Sequence, residues 1–524
     1  MIIASSLAEV TIEQNLEQFL IVLSVSLAVA TISRVFSWFR QIPYTLLLVI
    51  VGSGLAFVNI RLVNLSPELI LEIFLPPLLF EAAWNIKWKE LKASLTPIIL
   101  LAIVGVIISV TGVSFALSHF TNLSLATALL VGASLSASDP VSVIALFREL
   151  GAGKKLTTVM EGESLFNDGV AVVAFLLLVG IPLGEEQFSI TDSIIEFFTF
   201  TGVGVAVGLL VGFGISYLTQ RFDLPLVEQS LTLVSAYGTY LITENLGGSG
   251  VIGVVMVGLV LGNFGSRIGM NPRTRLSVSE FWDFLAFFVN SIVFLLIGDQ
   301  IIFSSFITNW NLILVAIVSL LISRFVAVFI LCYISNLITV IDLSWREQLI
   351  LWWGGLRGSV SVALALSVPV ILTDRSVVIE TVFGVVLFTL LVQGLTTKYL
   401  LQALNLVGDQ DVKQGYSELL ARRTALNNVL DYLTSMPPSK IPEIEPDFYS
   451  YETKLIEGQL HTIEEKIIDL QKVNPDLKTI SMKKLRENLL TIEADTYADL
   501  ILKGELGNDL SPIIQEILVM EKDD

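Results

Sequence analysis

The stretch GESLFNDGVAVVAFLLLVG, residues 162–180, puts an acid at the head of a run that otherwise carries no charge. Ser164 and Asp168 are four apart and share one face of a helix. Asn167 sits beside Asp168, and Glu163 shares an adjacent face with Asn167. A carboxylate, an amide and a hydroxyl are thereby gathered within little more than one turn. All offer hard oxygens, the ligands preferred by small alkali and alkaline-earth cations.

A second group lies in SLSASDPVSV, residues 134–143, where Asp139 precedes Pro140. Proline removes an amide donor and disfavours helix at the residue before it, so the helix is expected to open near Ser138 and Asp139. That frees backbone carbonyls as ligands and leaves two half-helix ends whose dipoles can face charge. A third acid, Glu81, follows two prolines in LPPLLFEAAW. Lys87 is close to it, so an interfacial carboxylate among lipid headgroups stays open as an alternative. Two arginines answer these acids. Arg324 lies in LISRFVAVF, with Glu163 as its best candidate partner. Arg357 lies in WWGGLRGSVSVALAL, where Gly354, Gly355 and Gly358 suggest a second broken or tightly packed helix. A charge at mid-bilayer is penalised by at least ~2.5 kcal/mol and needs a partner or a role. If Glu163 is paired, Asp168 is the acid left free to titrate.

Those residues need elements that hold them in an apolar medium. Of the 524 residues, 54% are hydrophobic and 15% charged, against about 25% charged in an ordinary soluble domain. Apolar runs long enough to cross a ~30 Å hydrocarbon layer recur along most of the chain, whereas a soluble helical core would need polar faces. The expected fold is therefore an all-α polytopic membrane protein. Its roughly thirteen spans are at 15–33, 43–60, 66–86, 93–118, 123–147, 156–182, 190–219, 228–246, 249–265, 279–301, 309–337, 347–370 and 377–403. The two breaks fall in spans five and twelve. Spans one to six and eight to thirteen would then be two inverted halves with crossed broken helices in corresponding positions. Roughly thirteen basic residues lie in one set of loops, among them Lys87, Arg148, Lys155 and Arg346, against Arg61 and Arg375 in the other. Basic loops face the cytoplasm, which places the N-terminus outside and the C-terminus inside. The first residues are acidic, without a basic n-region, and are expected to be retained.

The character changes at about residue 407. The net charge is −18, and about −10 of it lies beyond Leu406. Residues 1–406 are expected to form the membrane domain and 407–524 an acidic cytoplasmic one. In the latter, a proline-containing loop at 435–448 leads to amphipathic helices over 449–473 and 477–506. A regulatory or assembly module and a solvated tail both fit that pattern. The two histidines, His119 and His461, exclude a multi-histidine metal site. Cys332 is the sole cysteine, so a disulfide within the chain is impossible.

Together ASDP, GESLFNDGVAVV, LPPLLFEAAW, FWDFLAFFVNSIVFLLIG and WWGGLRGSVSVALAL resemble the sodium/proton-exchanger branch of the cation–proton antiporters, the NhaP type. The match runs in order over most of residues 15–405; nothing after 407 shares it. The resemblance implies a homodimer in the cell membrane whose interface and core domains move against each other. It implies Na+ and H+ as substrates, no cofactor and no nucleic-acid partner. It further implies a cation held by Asp168, with Ser164, Ser138, Asp139, Asn167 and Glu81 contributing, and Glu163 with Arg324 as a structural ion pair. Pro140, Gly354, Gly355, Arg357 and Gly358 would support the broken helices. Asn-Asp at 167–168 is associated with electroneutral exchange. Ser138 is a departure, since many relatives carry threonine there; hydroxyl and carbonyl are kept, so at most altered affinity or ion preference is implied. Potassium/proton exchange on the same fold is the alternative. A cation channel would need a filter-like repeat, and an intramembrane aspartyl protease a paired-aspartate signature; the sequence carries neither.

Overall fold

A computed structural model of the protein describes residues 18, 20–33, 35, 42–58, 62, 65–184, 189–219, 224–266, 270, 272–300, 308–339, 342–407, 410–435, 446–474, 477 and 482. Among the described residues every regular element is helical. Arg34, Arg40, Arg61, Arg221 and Arg267 of the loop-charge pattern, most of the 435–448 loop and most of 477–506 lie outside the described residues. The chain divides into two compact units, one reaching Val407 and one beginning at Gly408.

In the first unit the chain order is α1 (Leu20–Ser33), α2 (Tyr44–Phe57), α3 (Leu75–Asn85), α4 (Leu95–Phe120), α5 (Leu125–Ser134), α6 (Val141–Leu150) and α7 (Lys154–Val179). There follow α8 (Thr191–Thr219), α9 (Pro225–Asn245), α10 (Gly250–Gly265), α11 (Thr274–Asp299), α12 (Trp310–Ile338), α13 (Trp345–Trp353), α14 (Ser359–Leu366) and α15 (Arg375–Ala403). Among the described residues, six of these, α4, α7, α8, α11, α12 and α15, are long and apolar enough to cross a membrane. Their outward faces carry large apolar side chains such as Leu210, Leu337 and Tyr333, the surface a lipid environment requires.

Two sequence features shape the path to the site. Pro76 and Pro77 lack N–H groups, so carbonyls one turn earlier lose their helical donors. The chain widens into a π-helical turn at Leu69–Phe74, and the Tyr237 hydroxyl donates to the freed Ile73 carbonyl at 2.8 Å. Glycines bring other helices into backbone contact. A Cβ on Gly204 or Gly208 of α8 would run into the Ser249 or Gly253 carbonyl at the head of α10, the small-residue packing typical of membrane helices.

Spans five and twelve are each split. The first opens at Leu135, earlier than the expected Ser138, because α5 ends at Ser134 and the chain stays unwound through Pro140. The second is unwound from Gly354 to Gly358, between α13 and α14. The two unwound segments meet: the Asp139 backbone N–H donates to the Leu356 carbonyl at 2.8 Å.

The second unit holds α16 (Gln410–Ser435) and α17 (Pro446–Val473). Tyr416 accepts a hydrogen bond from Gln471, and the Tyr449 hydroxyl donates to the Leu433 carbonyl. The helices are therefore antiparallel, with Tyr416, Ile463, Ile467 and Leu477 in their shared core. The sequence pattern anticipates α17; α16 is an addition.

Candidate functional site

The site is assembled where α7 passes the two unwound segments. Helix α7 is an uninterrupted 26-residue helix without proline, which fixes the side chains of Glu163, Ser164, Asn167 and Asp168 at helical spacing. All four are buried. Ser164 Oγ donates to the Ser138 carbonyl in the first break. Asn167 Nδ2 donates to Ser138 Oγ at 3.2 Å and to Glu163 Oε1 at 3.4 Å. Its own Oδ1 and Asp168 Oδ1 are buried with no hydrogen-bond donor. These two buried oxygens lie within one helical turn of Ser164, and hard oxygens of this kind are the donors that small cations prefer.

Glu163 is occupied differently. Arg324 of α12 holds it in a fork, Nη1 to Oε1 and Nη2 to Oε2, both at 3.0 Å, the bidentate geometry that a guanidinium favours. Arg324 also donates to the Leu351 carbonyl at 3.0 Å and the Trp352 carbonyl at 3.3 Å. Those carbonyls belong to the last turn of α13, whose intrahelical donors have run out. A Cβ on Gly355 would overlap this guanidinium, so the glycine at that position leaves the arginine its room.

The other charges sit on the remaining half-helix ends. Asp139 Oδ1 accepts from the Val141 N–H at 3.2 Å, at the start of α6. The same carboxylate lies against Gly358, one residue before α14 begins at Ser359. Gly358 allows that approach, because a Cβ there would occupy the Asp139 carboxylate. Arg357 lies fully buried at the other end of the break, its Nη1 donating to the Ser136 and Ala137 carbonyls at 2.7 Å each. Ser361 adds a hydrogen bond to the Ala137 carbonyl at 3.2 Å. Helix starts thus receive an anion and helix ends a cation, as the helix dipole demands. Pro140 leads directly into α6 without a side-chain cap of its own. Gly354 closes α13, with Met160 and Val143 filling the space where its side chain would be.

Glu81 lies on α3. Its Oε1 accepts from Asn85 Nδ2 at 2.6 Å, and Asn85 reaches on to Asp283 at 3.3 Å. Asp283, Arg148 and Glu161 are charges around it, and Arg148 is itself paired with Glu161 at 2.9 Å. The structure therefore brings together Ser138, Asp139, Glu163, Ser164, Asn167, Asp168, Arg324 and Arg357, while the hydrogen bond of Glu81 goes to Asn85 on its own helix. Sequence reasoning missed the carbonyls of Ser136, Ala137, Leu351 and Trp352. Their signal was indirect: two buried arginines outnumbering the one acid assigned to pair with them.

Comparison with known proteins agrees with this architecture. The family profile described as sodium/hydrogen exchanger, transmembrane, matches residues 23–403. The Na+/H+ antiporter ApNhaP of Aphanothece halophytica is 64% identical over 519 residues, spanning 99% of each chain. The low-affinity Na+/H+ antiporter NhaS1 of Synechocystis sp. is 58% identical over 508 residues, spanning 96% of each. The solved structure of the sodium proton antiporter MjNhaP1 of Methanocaldococcus jannaschii superposes with a TM-score of 0.58, covering 75% of this chain and 97% of that one. At 21% identity that likeness speaks for the fold. An all-helical membrane chain with two broken helices meeting at a buried acid, matched by this profile and these relatives, belongs to the transmembrane sodium/hydrogen exchangers, a family of transporters rather than enzymes.

Proposed function

We propose that the protein exchanges Na+, and Li+ with it, for H+ across a cell membrane, one for one and without net charge movement. The observation that carries this reading is the contrast between two acids on one helix. Glu163 is consumed by Arg324, whereas Asp168 keeps a buried carboxylate oxygen with no donor. A single carboxylate can hold a proton or a sodium ion, and not both well. Ser164, Ser138 and Asn167 would supply the further oxygens for the cation. Asp139, lying at two helix starts, would hold the breaks in shape and act on the ion through its field.

The charge sum supports electroneutrality. Asp139, Glu163 and Asp168 contribute −3 when ionised, and Arg324 and Arg357 contribute +2, leaving −1. One monovalent cation or one proton brings the sum to zero. An unloaded site would carry an uncompensated charge through an apolar interior, which is costly. Loaded with either ion it can change its exposure, and exchange becomes obligatory. The alternating access this requires is read as motion of the crossing against the neighbouring helices. The apolar window of α8 is only 17% buried, which suits a homodimer contact in the bilayer. The membrane domain, residues 1–406, would have its N-terminus outside, and residues 407–524 would form an acidic cytoplasmic domain.

The test is proton flux in proteoliposomes with Na+, Li+ and K+ supplied in turn, with and without a clamped voltage. Na+ and Li+ are expected to drive flux that voltage does not alter, and Asp168→Asn to abolish it in a protein that still folds. Normal flux in that variant, or flux driven by K+ alone, defeats the reading.

A further inference from the structure

The helices of the membrane unit sort by what they pack against. Helices α5–α7 and α12–α15 build the crossing, while α2 is bound to α11. A Cβ on Gly52 of α2 would strike the Leu295 carbonyl, and one on Gly298 of α11 would strike the Val49 carbonyl. The two backbones therefore touch, and α2 is held as part of the neighbouring scaffold.

The first turn of α2 nevertheless reaches the crossing. Thr45 Oγ1 and Ser142 Oγ share a hydrogen bond of 2.6 Å between residues 97 apart in sequence. Both are buried, at 1% and 2% exposure. Ser142 lies in the first turn of α6, three residues beyond Asp139. On either side of Thr45 the turn is divided in its loyalties. The ring of Tyr44 packs on Phe287 of α11 with centroids 5.2 Å apart, and Leu46 lies against Gly394 of α15. At this turn the scaffold therefore meets the crossing through Leu46, an apolar contact, and through Thr45, whose bond links two hydroxyls. Such a bond is directional and breaks over a short displacement, unlike the apolar contacts around it, which slide.

We propose that Thr45 is a positioning residue for transport: its hydrogen bond to Ser142 latches the half-helix below Asp139 to the α2–α11 scaffold in one access state and is released in the other. This rests on the reading that the crossing moves to exchange ions. A buried hydrogen bond present in one state and absent in the other biases the equilibrium between them by about 2- to 10-fold. The bias acts through the position of α6, since Thr45 touches none of the oxygens assigned to the cation.

The test uses the full-length chain in vesicles of known orientation, as wild type, Thr45→Val, Ser142→Ala and the double variant. Loss of the latch is expected to move the half-saturating Na+ concentration at the two faces in opposite directions, by about 2- to 10-fold. The double variant should match either single one, because one bond is lost in all three, and Thr45→Ser should restore the wild-type values. Hydrogen–deuterium exchange over residues 141–150 in the detergent-solubilised protein should rise in Thr45→Val by a similar factor. Shifts of the same sign at both faces, additive single variants, or unchanged hydrogen exchange each overturn the latch. Absence of Na+-driven flux in the wild type would instead remove the exchange reading, and the hydrogen-exchange comparison would still decide whether the bond restrains α6.

Discussion

Replacing Arg324 by methionine separates the roles of the two acids on α7. The guanidinium makes two bonds of 3.0 Å to Glu163 and two more to the Leu351 and Trp352 carbonyls. Glu163 is 2% exposed, so no water is at hand to replace the lost partner. Removing one member of a buried ion pair costs about 3–5 kcal/mol. The two orphaned carbonyls add about 1–3 kcal/mol each where nothing replaces the donor. In a chain of this size a kilocalorie moves the melting temperature by under about 2 °C, so Arg324→Met should melt on the order of 5–10 °C below wild type in detergent. The double variant Arg324→Met with Glu163→Met removes the stranded charge and should recover the ion-pair part of that loss, while the carbonyl part remains. Tryptophan fluorescence melting provides the stability measurement, and Na+-driven flux at reduced temperature provides the affinity. The half-saturating Na+ concentration of Arg324→Met should stay within about 3-fold of wild type, since the cation oxygens are assigned to Asp168 and its neighbours. A variant that melts like wild type yet binds Na+ ten times more weakly would refute the division into a structural and a titrating acid.

Gly358→Ala should reduce transport sharply, because its Cβ would take the space of the Asp139 carboxylate; flux in vesicles at wild-type level would show that Asp139 can relocate without consequence. Gly355→Ala should instead act on stability, by about 1–3 kcal/mol through displacement of the Arg324 guanidinium, and a melting scan distinguishes the two glycines. If Na+ and H+ compete for Asp168, the half-saturating Na+ concentration should rise about tenfold for each unit of pH lowered once the protonated site predominates; a maximal rate that falls while half-saturation stays fixed would exclude competition at one carboxylate.

The fold was legible in the sequence because apolar length is an unambiguous physical signal: each uninterrupted run must cross or lie within the hydrocarbon layer. The breaks were legible for a different reason. Asp139-Pro140 and the glycines at 354, 355 and 358 are costly inside a helix, so their presence in apolar runs demanded an explanation. Where the helix actually opens was not legible. The chain leaves helical geometry at Leu135 because Arg357, distant in sequence, draws the Ser136 and Ala137 carbonyls out of the ladder. The Glu163–Arg324 pair followed from charge bookkeeping. The position of Glu81 followed only in part: Asn85 lies four residues on along the same helix, so local spacing sets that bond, whereas Asp283 belongs to α11 and only the fold brings it within reach. Thr45 and Ser142 were equally silent, since a threonine and a serine in apolar helices are ordinary residues until the fold sets them face to face.

The segment Gly354–Gly358 ties these observations together. Gly355 seats Arg324, Leu356 offers its carbonyl to the Asp139 backbone, Arg357 holds the carbonyls after α5, and Gly358 seats the Asp139 carboxylate. Consecutive residues of one unwound stretch therefore touch the ion pair, the first break and its acid. A shift of that stretch by a fraction of an ångström changes the field at Asp168 from Arg357 and from Asp139 at once, since both are among the charges that act upon it. In the proposed exchange, loading the site with a cation or a proton would in turn be felt by the same stretch, because the charge sum there would change by one. The broken helix is in this sense the element through which occupancy and conformation can be linked, and its glycines are required by the close approach of charged groups more than by any flexibility of the backbone.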